Sequence, residues 1–124
     1  MSEEKARFSL LARLKSIKDA LAGITLLLKN EHNSRVHLAA TVLVISMAFY
    51  LSVSAMEWAL LAIAITMVWS AEGFNTALEY LCDKVSPEHD ELIGQAKDVA
   101  AAAVLLTAIG AVVIGALVFI PYLI

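Results

Sequence analysis

Residues 58–82 read WALLAIAITMVWSAEGFNTALEYLC. No charge interrupts this stretch before Glu72, and beyond it only Asn75 and Glu79 break the apolar pattern. The run exceeds the roughly 20 residues that a helix needs to cross about 30 Å of hydrocarbon. Helix is the structure it implies, because lipid cannot satisfy an open backbone. Two further stretches share this character. Residues 36–56 and 99–120 contain no Asp, Glu, Lys or Arg. Of the 124 residues 60% are hydrophobic, above the roughly 45–50% of a soluble domain. The expectation is an all-α integral membrane protein of one domain, residues 1–124, with spans at about 36–56, 58–82 and 99–120. Ser52, Ser54 and Glu57 separate the first two spans, Ser86-Pro87 ends the second, and Pro121 is expected to close the third. Trp58 and Tyr122 fall where interfacial aromatic residues belong.

Upstream of the spans, Leu10, Leu14, Ile17, Leu21, Ile24 and Leu28 recur every three or four residues, the period of one helical face. Arg13, Lys15, Lys18 and Asp19 interrupt that face with charge. A basic amphipathic helix of this kind, here about residues 7–29, lies in the plane of a membrane surface or packs on the other helices of its own chain. The total charge of −3 says little, but its distribution says more. Lys5, Arg7, Arg13, Lys15, Lys18, Lys29 and Arg35 precede the first span, Lys84 and Lys97 flank the second loop, and the loop at 52–57 carries no basic residue. The positive-inside rule then places the N-terminus and the loop 83–97 in the cytoplasm, and the first loop and C-terminus outside. The expected location is the bacterial cytoplasmic membrane. No cleavable signal peptide and no nucleic-acid partner are expected. Cys82 is the lone cysteine, which excludes an intrachain disulfide and a thiolate zinc cluster.

Carboxylates inside a spanning helix cost roughly 2.5–3.5 kcal/mol each at its centre, so they mark function by default. At about 100° per residue, Asn75 lies about 60° and Glu79 about 20° around the helix from Glu72, with Thr76 and Asp83 on the same side. A polar stripe can glue helices together, but two carboxylates repel unless a cation or proton lies between them. Glu31, Lys97 and Asp98 sit at the same membrane face, the one that meets cytoplasmic ATP. His32, His37 and His89 have no metal-ligand spacing and read as interfacial residues. The chain has neither G-x-x-x-x-G-K-[ST] nor G-x-G-x-x-G, so it carries no familiar soluble nucleotide fold. Left alone in lipid, the stripe would be exposed, and self-association would cover it.

The elements Asn30-Glu31, Glu72-Gly73-Phe74-Asn75-Thr76-Ala77-Leu78-Glu79 and Gly94-Gln95-Ala96-Lys97-Asp98 resemble the signatures of the prokaryotic diacylglycerol kinase family, which includes the undecaprenol kinases. The resemblance covers nearly the whole chain. It implies ATP- and Mg²⁺-dependent phosphorylation of a membrane lipid alcohol, by a homotrimer whose active sites lie between subunits. It implies Glu72 as the catalytic base and Glu31 and Glu79 as the carboxylates holding magnesium. Lys97, Asp98, Glu88 and Asp90 would approach the nucleotide, and Asn75 and Arg35 would shape the site. Asp19, where an aromatic nucleotide contact is frequent, and Ala100-Ala101, where small polar residues are frequent, depart from the diacylglycerol members and lean toward the undecaprenol branch. The alternative from another class is a small ion- or proton-coupled transporter subunit using Glu72 and Glu79 as a relay. That alternative leaves Glu31, Lys97 and Asp98 without a purpose.

The charge asymmetry predicts that topology reporters fused after Ser54 and after Ile124 both report the outer side. A cytoplasmic signal from either fusion would break the orientation, and with it the access of the acidic cluster to ATP.

Overall fold

The computed structural model describes residues 7–124, which form four helices: α1 (Leu10–Asn30), α2 (His32–Tyr50), α3 (Ala55–Val85) and α4 (Glu91–Leu123). They divide into two compact units where the sequence was read as one domain: α1 belongs to the first, and residues 31–124 form the second. In α1, Ser9 Oγ accepts a hydrogen bond from the Ala12 amide at 3.3 Å and starts the helix. Leu10, Leu14, Ile17, Leu21 and Ile24 are each more than half exposed, so the face read from the sequence presents a continuous apolar surface.

In the second unit α3 packs against both α2 and α4, more extensively against α4. Among the described residues two helices, α3 and α4, are long and apolar enough to cross a membrane. With 31 and 33 residues they measure about 46 and 50 Å at 1.5 Å per residue, longer than the roughly 30 Å of a bilayer's hydrocarbon. The first expected span is corrected in its bounds. Helix α2 begins at His32, four residues before the apolar run, and ends at Tyr50, and Ala55 and Met56 already belong to α3. Its polar first turn leaves only residues 36–50 as apolar helix.

The reason is local. Val53 N donates to Ala48 O at 3.2 Å and Ser52 N to Phe49 O at 3.2 Å, the paired bonds of a Schellman stop. Ser52 takes φ 51°, the left-handed conformation that such a stop requires and that usually falls to glycine. Ser54 then opens α3 with a capping box: its hydroxyl accepts from Glu57 N at 3.2 Å while the Glu57 carboxylate accepts from Ser54 N at 3.1 Å. The α2–α3 connection is therefore a tight hairpin. Beneath it lies the apolar core of Ala48, Val53, Leu61, Val118 and Phe119, with Phe49 edge-on to Trp58 at 4.8 Å. Pro121 does not close the last helix. It lies inside α4, which continues to Leu123, and Tyr122 donates its hydroxyl to Glu57 Oε1 at 2.6 Å, tying this end of α4 to the start of α3. At the other end Ser86 caps α3, as expected, and Asp90 opens α4 by accepting from Ile93 N at 3.0 Å.

Two substitutions at the hairpin have opposite expected signs. Ser52→Gly relieves the left-handed backbone and should stabilise by about 1 kcal/mol, whereas Ser54→Ala removes the cap and should destabilise by about 1 kcal/mol. Unfolding in mixed detergent–SDS micelles measures both, and an unchanged midpoint for Ser54→Ala would remove the cap from any role in stability.

Candidate active site

Helix α3 carries its polar residues on one side, and that side faces into the second unit. Glu72, Asn75 and Thr76 are buried, Glu79 is half-buried, and Asp83 is exposed. The expectation that the stripe would meet lipid in a single copy is corrected: the chain itself covers its deeper part. Glu72 is 1% exposed. Its Oε2 lies 3.3 Å from Nε2 of His37 on α2, and its Oε1 is buried with no hydrogen-bond partner among the described residues. Ser34 Oγ, Asn75 Oδ1 and Thr76 Oγ1 are likewise buried and unpartnered. Polar atoms buried this way normally find a partner, so this concentration of unmet capacity on α2 and α3 sets the region apart.

His37 corrects the reading of all three histidines as interfacial. Its side chain is 16% exposed and is built into the helix interface. Trp69 sits edge-on to the imidazole, with ring centroids 6.1 Å apart and planes at 68°. Trp69 Nε1 donates to Thr41 Oγ1 at 3.0 Å, and the Thr41 hydroxyl donates to the His37 carbonyl at 2.7 Å. The signal was present in the sequence: Ser34, His37 and Thr41 stand three and four residues apart, a polar stripe on the first apolar helix that answers the stripe on the second. His37 and Thr41 also line a cavity of about 410 Å³ bounded by α2, α3 and α4, whose remaining walls are almost entirely aliphatic, among them Val44, Leu61 and Val68, with Phe119 adding one aromatic ring.

The other expected site residues lie nearer the ends of α2, α3 and α4. Lys97 donates to Asp83 Oδ1 at 2.6 Å, joining α4 to α3. That hydrogen bond raises the pKa of the lysine, which stands ahead of the apolar run beginning at Val99. Asp98, Glu88 and Arg35 are exposed. Asp90 is exposed and its carboxylate caps α4, a structural task beside the nucleotide contact expected of it. Glu31 is half-buried at the N-cap position of α2, and its carboxylate makes no capping hydrogen bond. No group of three or more His, Cys, Asp or Glu side chains comes together as a metal cluster among the described residues. Cys82 is buried, in line with a packing role.

Residues 18–119 match the family described as prokaryotic diacylglycerol kinase. The chain is 36% identical over 109 residues to an undecaprenol kinase of Bacillus subtilis strain 168, covering 88% of this chain and 89% of that one. It is 39% identical over 109 residues to a diacylglycerol kinase of Synechocystis, covering 87% of this chain and 62% of that one. It is 37% identical over 84 residues to a diacylglycerol kinase of Escherichia coli K12, covering 68% and 69% of the two chains. None of these relatives is a transporter. With a family match over most of its length and relatives of this similarity, the chain belongs to the prokaryotic diacylglycerol kinase family.

Proposed function

We propose that this protein is a lipid kinase that transfers the γ-phosphoryl group of ATP to the hydroxyl of a membrane lipid alcohol, diacylglycerol or undecaprenol. The observation that carries the reading is Glu72: a carboxylate buried in a membrane-length helix, with one oxygen held by His37 and the other unpartnered. In the reaction the lipid O–H bond breaks and its proton passes to Glu72 Oε1. The freed oxygen forms a bond to the γ-phosphorus, and the bond from that phosphorus to the bridging oxygen breaks, leaving ADP. Such transfer depends mostly on alignment and charge neutralisation, and a base must lie within hydrogen-bond reach of the attacking hydroxyl.

Glu31 and Glu79 are the proposed magnesium ligands. Magnesium is commonly held by one or two carboxylates together with substrate phosphates and water, rather than by a cage of protein ligands. Two half-buried carboxylates, neither taken up by a side-chain hydrogen bond to a helix cap, fit that chemistry. When bound, the ion neutralises the charge of the β- and γ-phosphates. Glu79 lies seven residues beyond Glu72 on α3, about 10 Å along the axis, so base and metal ligand serve different depths. Lys97 and Asp98, with Glu88 and Asp90, form the nucleotide side, and Asn75 and Arg35 shape the site. Three spans, with α1 on the membrane surface, and a homotrimer with sites between subunits belong to the same proposal, as does the orientation that turns Glu79 toward the cytoplasm.

Glu72→Gln keeps size and hydrogen-bonding capacity but removes basicity. It should lower kcat by about 10²–10⁴, with lipid and nucleotide binding kept, in protein shown to be assembled in detergent. A purely structural Glu72 predicts the reverse, since a neutral amide is cheaper to bury, and a kcat equal to the parent's would remove the base. Assays with diacylglycerol and undecaprenol side by side identify the acceptor.

Glu31→Gln and Glu79→Gln should each weaken the use of Mg·ATP, shifting the magnesium dependence of the rate to higher concentration. Normal magnesium titrations in both variants would remove the ligand pair.

A further inference from the structure

We propose that His37 is a positioning residue for Glu72: its Nε2–H donates to Glu72 Oε2 and fixes the carboxylate so that Oε1 is the oxygen that takes the lipid proton. The inference rests on the reading of Glu72 as the base. A neutral imidazole has one nitrogen that donates and one that accepts. Opposite an ionised carboxylate oxygen at 3.3 Å, the tautomer that fits carries its hydrogen on Nε2, since two acceptors would repel. A neutral donor suits this site. An ammonium or guanidinium would pair fully with Glu72 and take away the basicity the reaction needs, whereas with no partner at all the buried carboxylate would be strongly destabilised.

The imidazole also meets an aromatic ring, and the backbone beneath it is tied to the same ring through a threonine. Trp69 on α3 stands edge-on to the ring, and its indole N–H binds the Thr41 hydroxyl, which binds the backbone carbonyl of His37. His37 also lines the aliphatic cavity among α2, α3 and α4, so the same ring borders apolar space on one part and touches the base on another.

The side-chain chemistry supplies a sharp test. The terminal nitrogen of glutamine stands as many bonds from Cα as the Nε2 of histidine does, and that of asparagine matches Nδ1. In assembled protein, His37→Asn should lower kcat about 10- to 100-fold, the scale of a misplaced catalytic group, with the KM values for lipid and Mg·ATP little changed. His37→Gln should restore most of that loss. In the Glu72→Gln background His37→Asn should lower the rate no further, because residues that act as a unit are not additive. Trp69→Phe, which keeps an aromatic ring but removes the indole N–H donor to Thr41, should lower kcat severalfold with the same unchanged KM values. The proposal is overturned if His37→Asn keeps the parental kcat, if Gln and Asn lose equally, if the loss persists undiminished without Glu72's basicity, or, where His37→Asn does not assemble, if Trp69→Phe is unimpaired. A fully active Glu72→Gln overturns instead the base itself, so the two failures are told apart.

Discussion

A carboxylate buried at 1% exposure in the middle of a long apolar helix constrains much of what surrounds it. Almost none of it meets solvent, and an isolated ionised carboxylate in such a place is strongly unfavourable. Something on a neighbouring helix must face it, and α2 supplies His37. That need bears on the position of α2 relative to α3: the polar stripe of Ser34, His37 and Thr41 has to meet the stripe of Glu72, Asn75 and Thr76, and a rotation of either helix would turn buried polar groups toward lipid. The Trp69–Thr41 bond lies one turn further along both helices and makes a second polar tie between them.

The hairpin makes this register attainable. With only residues 51–54 between α2 and α3, the two helices run antiparallel, and the short turn limits how far one can slide along the other. The Schellman stop and the capping box leave the turn little freedom. At the same end of the unit Tyr122 binds the carboxylate of Glu57, the residue that also closes the capping box. One side chain thus secures the start of α3, the turn before it and the end of α4. Strong local order here allows unmet hydrogen-bonding capacity to persist at the buried stripe, since strain and orphaned groups survive only where the surroundings over-determine them.

Composition and pattern carried the architecture far. The long apolar runs of α3 and α4 needed no tertiary information, and the period of Leu10 to Leu28 identified α1. The bounds of α2 were less legible, because lipid-compatible residues continue through the turn: Leu51, Val53 and Met56 are apolar in helix and turn alike, and only the paired serines signal the break. Pro121 misled for a related reason, since a proline one turn from the end of a helix removes little when the hydroxyl of its neighbour is anchored elsewhere. In the site, Glu72 was legible because its cost is intrinsic. His37 was not, since a histidine near the end of an apolar run is ambiguous until its partner on another helix is known. Asp83 shows the same limit from the other side: its partner Lys97 stands on another helix and is not visible in the residue's own neighbourhood, whereas the cap formed by Asp90 is local.

Two of the carboxylates of α3 differ in their surroundings by depth alone. Glu72 and Glu79 share a face, separated by about two turns, yet one is sealed and the other half-buried. In the proposed reaction the buried carboxylate, with one oxygen at His37 and the other unpartnered, is placed to meet a hydroxyl. A half-hydrated one is suited to hold a hard cation that keeps part of its water shell. In the proposed reaction these demands arise at different heights: the lipid hydroxyl comes from within the bilayer and the phosphates from the water. A single helix of this length can present both groups on one face, and no nucleotide-binding loop is needed to bring them into register. The small size of the chain is compatible with this chemistry because the bilayer orients one substrate and the helix axis sets the distance to the other.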